Sequence, residues 1–213
     1  MQRKFKVTML LILTTAVFAA VSAVNAHAAA QIQVFRTSGN SVMASFHSLD
    51  ASGCVITDAS VFASDGTILT SPGEDLFRFR ALGYATSQFD QCRQLLLLTG
   101  LGLTGAVNFQ IAKDLTSATL SGTIPMDEFV SGTTIQISVN VTWVGNGTTV
   151  HQVATSHERV PGFVEDSHGN GDMQDGGAAG VITDGTQNFA PGASVSAELE
   201  QNSSGTISVQ AGR

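Results

Sequence analysis

Short runs rich in Val, Ile, Thr and Phe recur along this chain, about every 8 to 15 residues, with Gly, Asp, Asn and Ser between them. Branched and aromatic side chains suit a pleated surface, and the separating residues suit turns. Strands are predicted over 31–37, 41–48, 54–63, 67–70, 76–85, 92–99, 106–112, 117–125, 133–144, 148–159, 180–183, 193–200 and 206–210. No window of about 11 residues or more keeps a 3.6-residue period with helix formers and caps. Only 90–98 suggests a short helix. The pattern predicts an all-β fold, a two-layer antiparallel β-sandwich, with a closed antiparallel β-barrel as the alternative.

Asn146-Gly147 is the sharpest local signal. Asn-Gly supplies the two positive φ angles of a type I′ turn, so a hairpin is predicted there. Counting outward places Trp143, Val141, Val139, Ile137 and Ile135 on one face with Val150 and Ala154. Thr142, Asn140, Ser138 and Gln136 then share the other face with His151, Val153, Thr155 and His157. Asp65-Gly66 and Asp184-Gly185 are further turn signals, and Pro72-Gly73 and Pro161-Gly162 are expected to end strands.

The run Ser38-Gly39-Asn40-Ser41-Val42 resembles Ser131-Gly132-Thr133-Thr134-Ile135. Their offset of 93 residues (131 − 38) allows two sandwich-like halves splitting near 122–130. Only the first half carries cysteines, and matches among Gly, Ser and Thr arise cheaply. A single all-β domain over 29–213 is therefore preferred.

Residues 1–28 read as an export signal. Arg3, Lys4 and Lys6 form a basic start, Val7 to Val24 carries no charge, and Ala26-His27-Ala28 is a small-x-small cleavage pattern. The mature chain is expected outside the cell or at its surface, or in the periplasm of a source with an outer membrane. With 10 Lys+Arg against 17 Asp+Glu, losing those three cations deepens the net charge from −7 to −10. Lys113 is then the only lysine. So acidic a chain is poorly suited to nucleic acid or to anionic membranes. No mature segment approaches the roughly 20 apolar residues of a spanning helix, so no transmembrane anchor is expected there. One Trp and one Tyr cannot form the aromatic girdles of an outer-membrane barrel.

Cys54 and Cys92 are the only cysteines. In an oxidising compartment they read as one disulfide.

Glu165 to Ala179 is the least strand-like stretch and is predicted to be a long exposed loop. Within it, Asp166, Asn170 and Asp172 stand at positions that approach a calcium loop, making them the candidate metal ligands. His168 at the third position and Gly177 at the twelfth depart from that pattern. No cofactor is expected unless calcium binds there. His151 and His157 share a strand face but stand about 20 Å apart at ~3.4 Å per residue, so zinc would need Glu158 or His47 as well. No nucleophile elbow, zinc-protease run or phosphate-cradling loop occurs, and no residue is assigned a catalytic role. Adjacent carboxylates such as Asp127-Glu128 and Glu165-Asp166 point to opposite strand faces. Phe77 and Phe79 alternate with Arg78 and Arg80, which core packing explains. The sequons at Asn140, Asn146 and Asn202 are read as composition.

The leading expectation is a secreted or cell-surface, non-catalytic protein with a structural or interaction role, its partner an unidentified protein or glycan. Alternatives are a small-molecule or glycan binding module, whose marker would be Trp143 exposed beside a cleft, and a metal-assisted hydrolase using the 165–175 segment with histidines.

Overall fold

The computed structural model describes residues 32–71, 73, 75–160 and 163–211. The predicted export signal, Pro72, Pro161-Gly162 and the side chain of Asn202 lie outside them. The fold is all-β and antiparallel, with nine strands among the described residues: β1 (Ile32–Leu49), β2 (Val55–Ser71), β3 (Leu76–Asp90), β4 (Leu95–Thr104), β5 (Val107–Ile111), β6 (Ser117–Glu128), β7 (Thr133–Val160), β8 (Phe163–Thr183) and β9 (Ser196–Ala211). Their lateral order is β4-β3-β2-β1-β9-β8-β7-β6-β5, and a β4–β6 ladder of Gly100↔Glu128, Leu101↔Asp127 and Gly102↔Met126 links the two ends. The body is sandwich-like: the Trp143 indole N–H on β7 donates to the Met43 carbonyl on β1 at 2.9 Å, although β8 and β9 separate those strands within the sheet.

Several predicted runs fuse into single strands, because the signals read as turns are used for other purposes. Asp65-Gly66 does not turn. Gly66 lies opposite Gly39, where a Cβ on either would stand 2.3 Å from a carbonyl oxygen of the facing strand, so both sites need glycine for close approach. The predicted hairpin at Asn146-Gly147 is likewise absent, and β7 runs straight through it. Gly145 pairs with Gly176 and Thr149 with Gln174, so β7 carries two extra residues there. The positive φ of Gly147 (83°) serves this bulge instead of a turn. Buried Gln174 holds it: its amide N–H donates to the Thr149 hydroxyl and the Asp114 carbonyl, and its oxygen accepts from the Gly147 N–H.

Two other expectations are corrected. Instead of a helix over 90–98, Asp90 ends β3, Gln94 takes φ 57°, and the Leu run starts β4. The Asp90 carboxylate accepts from the Arg93 N–H, which favours a tight turn over a first helical turn. The segment 165–179 is not a loop but part of β8, paired to β7 on one side and, as far as Gly176, to β9 on the other. It looked loop-like because few of its residues are apolar, but those side chains meet polar partners across the strands. Pro72 lies outside the described residues, but β2 does end at Ser71 and Gly73 takes φ 126°; Asp184-Gly185 turns as predicted, with the Asp184 carboxylate accepting from the Thr186 and Gln187 N–H groups.

The disulfide Cys54–Cys92 forms as predicted and joins the β1–β2 turn to the β3–β4 turn at one end of the molecule. One continuous buried core follows, drawing Val42, Ala44 and Phe46 from β1, Val61 from β2, Tyr84 from β3, Ile124 and Met126 from β6 and Ile137 to Trp143 from β7. Strands from both halves of the chain share it, and β6 runs across positions 122–128. Toward the opposite end the ring opens. β4 joins β3 only from Leu82 onward, and β6 joins β7 only up to Val144. Six strands, in the order β3-β2-β1-β9-β8-β7, continue past that limit as an extension.

Candidate functional site

Alternation fixes which side chains the extension presents on each face. The core-facing positions of β1 are Val42, Ala44 and Phe46, and the same alternation leads outward to Asn40, Ser38, Arg36 and Val34. On β8 it leads from Ile182 and Ala178 through Gln174 to Asp172, Asn170, His168 and Asp166. The two-residue bulge of β7 preserves alternation, so His151, Val153, Thr155 and His157 continue the Trp143 face. This corrects the predicted assignment, which put them opposite Trp143 and put Val150 and Ala154 beside it. In β9 one extra residue at 201–202 shifts the sequence, bringing Ser204, Thr206 and Ser208 onto this face.

The result is a polar surface where the interior face outruns its apolar core. Register sets its rows. Arg36, Thr206, His168 and Thr155 form one, and Ser38, Ser204, Asn170 and Val153 form the next. A groove of about 340 Å³ lies across them, lined by Arg36, Val153, His168, Asn170, Ser204 and Thr206 among others. None of the residues lining it is acidic.

Carboxylates do occur on this face, but each is engaged. Asp172 meets His151 Nδ1 at 3.0 Å, and Asp166 meets His157 Nδ1. Asp65 accepts from the Asn40 amide at 3.0 Å and lies 3.9 Å from Arg80. The Asn170 side-chain oxygen accepts from the Ser204 hydroxyl, which turns its NH2 to other uses. Arg36 and His168, by contrast, have no ion-pair or hydrogen-bond partner among the described side chains.

The candidate metal ligands Asp166, Asn170 and Asp172 thus share a face of β8, as their spacing requires. They lie along an extended strand and not around a loop. Six residues at ~3.3 Å each separate Asp166 from Asp172 by about 20 Å, so the three do not converge on one point. The set His151, His157, Glu158 and His47 is not assembled either. His47 sits near the disulfide end against Asp58 at 2.8 Å, and Glu158 points to the other face. Among the described residues no three His, Cys, Asp or Glu side chains are close enough to hold a metal ion.

Trp143 is fully buried, so it offers no exposed platform. Phe77 and Phe79 share a face as predicted, yet that face looks outward: Phe77 is 59% exposed, and Phe79 packs over Gly66. Core packing was the wrong explanation for Phe77. The alternating arginines Arg78 and Arg80 take the groove side instead. Adjacent carboxylates separate as expected. Glu128 accepts the Val130 and Ser131 N–H groups at the β6–β7 turn, while Asp127 accepts from Thr134. Glu165 lies on the outer face directly across from Glu158; burial, and then that neighbouring charge, push its carboxyl above the usual glutamate range.

Sequence reasoning passed over Arg36 and the groove. The available signal was Val34-Phe35-Arg36-Thr37-Ser38, a strand that puts Arg36 and Ser38 on the face opposite Phe35. It pointed to a solvated face without saying that the face continues the interior. No protein-family model matches the chain, nor does any curated protein sequence.

Proposed function

We propose that the chain is an exported, non-catalytic interaction protein of one β-domain, working through the uncovered polar face of its extension. The observation that carries this reading is the mismatch between sheet and core. β7 and β8 run 28 and 21 residues, yet the apolar interior supports only part of that length. Strands in globular domains average about 5–6 residues, and extended polar surface adds little to folding. Holding six strands past the core makes sense for a protein that presents a broad surface. The surface is also specific in its chemistry: its acids are paired, and its lining is rich in hydroxyl, amide and cationic donors.

The test uses the mature protein, fluorescently labelled, with intact cells and cell-envelope fractions of its source. The triple variant Arg36→Ala/His168→Ala/Asn170→Ala changes the groove and leaves the core untouched. Retention on the surface should fall at least tenfold, with the melting temperature unchanged. Equal retention of both proteins would overturn the reading. So would turnover of any member of a panel of ester, peptide and glycoside substrates.

A further inference from the structure

We infer that the groove across β1, β9 and β8 is a binding site for an acidic saccharide, with Arg36 taking the sugar carboxylate. The inference rests on the interaction reading above and names its ligand class. It begins from an imbalance of charge. The whole chain carries seven more acidic than basic residues, but no carboxylate lines this groove. Asp166, Asp172 and Asp65 stand near it and are held by His157, His151 and Asn40 with Arg80. Each pairing removes a competitor for Arg36. What remains is a guanidinium without a counter-ion among the described residues, in an acidic protein whose β8 carries carboxylates within two residues of the groove.

A guanidinium presents a planar fork that matches a carboxylate through two parallel hydrogen bonds. Its row continues through Thr206 to His168, and the adjoining row adds Ser204 and Asn170. The Ser204 hydroxyl is already given to the Asn170 oxygen, so the Asn170 NH2 faces outward as a donor. Thr206 and His168 each offer both a donor and an acceptor, which is what a ring of hydroxyl groups requires. Val153, 71% exposed at the rim, supplies an apolar contact for the C–H side of a sugar ring. The groove crosses strands and is open, so it admits a chain in passing and does not enclose a small molecule. A bare inorganic anion would use Arg36 and leave the hydroxyl and amide groups beside it unmatched.

Isothermal titration of the mature protein with a galacturonic acid oligosaccharide tests this, with a galactose oligosaccharide of equal length and inorganic sulfate as comparison ligands. The acidic oligosaccharide should bind at least tenfold more tightly than either. Arg36→Gln should weaken it tenfold or more, Arg36→Lys should restore part of the loss, and Asn170→Ala should weaken it several-fold. Arg93→Gln, at the disulfide end, should change nothing. Equal affinity for the neutral oligosaccharide, equal affinity for sulfate, no binding, or indifference to Arg36→Gln would each overturn the assignment. If the acidic oligosaccharide fails while cell-surface retention still depends on the groove, the ligand class is wrong and the interaction face stands. If retention is also independent of the groove, both fall.

Discussion

At the scale of single residues, the molecule carries two polar groups whose burial works against folding. The Tyr84 hydroxyl is buried, its ring tilted against that of Phe189, and has no hydrogen-bond partner among the described residues; burial raises its pKa. Glu165 is the second, and its cost depends on pH. Because its folded-state pKa is raised, the folded protein holds the proton more firmly than the unfolded chain does. Protonated Glu165 is therefore compatible with the fold below the ordinary glutamate pKa, and stability is lost as pH rises through the raised value. Glu165→Gln should raise the melting temperature at pH 7 by about 1–2 °C, an advantage that shrinks to nothing near pH 4. Thermal melts of both proteins across that range decide it, and an advantage that grew toward acid would refute the assignment. Turn carboxylates act in the opposite sense: the Ser52 hydroxyl holds Asp50 below its usual range, and the Thr116 hydroxyl does the same for Asp114. Those groups lose their stabilising hydrogen bonds only as the medium becomes strongly acidic.

At the scale of elements, the bulge of β7 governs the architecture. It lets one strand serve β6 for its first half and outlast it in the second. Gln174 satisfies the bulge from β8, so replacing it with an isosteric apolar residue strands the Asp114 carbonyl and the Gly147 N–H. Gln174→Leu should cost roughly 2–4 kcal/mol in urea denaturation, as expected for unpaired buried polar groups. A loss below ~0.5 kcal/mol would show that water replaces the amide. This element also marks the limit of what the residues disclose. The alternation of Ile135, Ile137, Val139, Val141 and Trp143 correctly identified the buried face. Of the two positive φ angles expected at Asn146-Gly147 only Gly147 takes one, and a single positive φ fits a bulge as well as a turn, so the pairing partners decide. The segment 165–179 failed for a different reason. Strand prediction leans on apolar alternation, and β8 there has polar neighbours on both sides and no apolar layer above it. The candidate residues Asp166, Asn170 and Asp172 were visible as a polar cluster; their engagement with His157, Ser204 and His151 depended on register and was not.

At the scale of the whole molecule, a packed body and an extension with an open groove face share the same strands. Backbone opening should be graded along them, since local stability follows burial and contact density. Hydrogen exchange followed by mass spectrometry should find the amides of Val42–Phe46 and Ile137–Val141 protected at least a hundredfold more than those of 149–159 and 164–170. Uniform protection along β7 would show that the extension is as cooperative as the core. The order of the strands adds one more property. β1 and β9 are antiparallel neighbours, with Ile32 opposite Gln210 at the tip of the extension and Ser45 opposite Ser196 deep in the body. A force applied between Ile32 and Gln210 therefore peels the two strands apart one hydrogen bond at a time and never loads the ladder in shear. Pulled from that tip, the domain yields at low tension as a zipper, while the disulfide-linked turns at the far end bear none of the load.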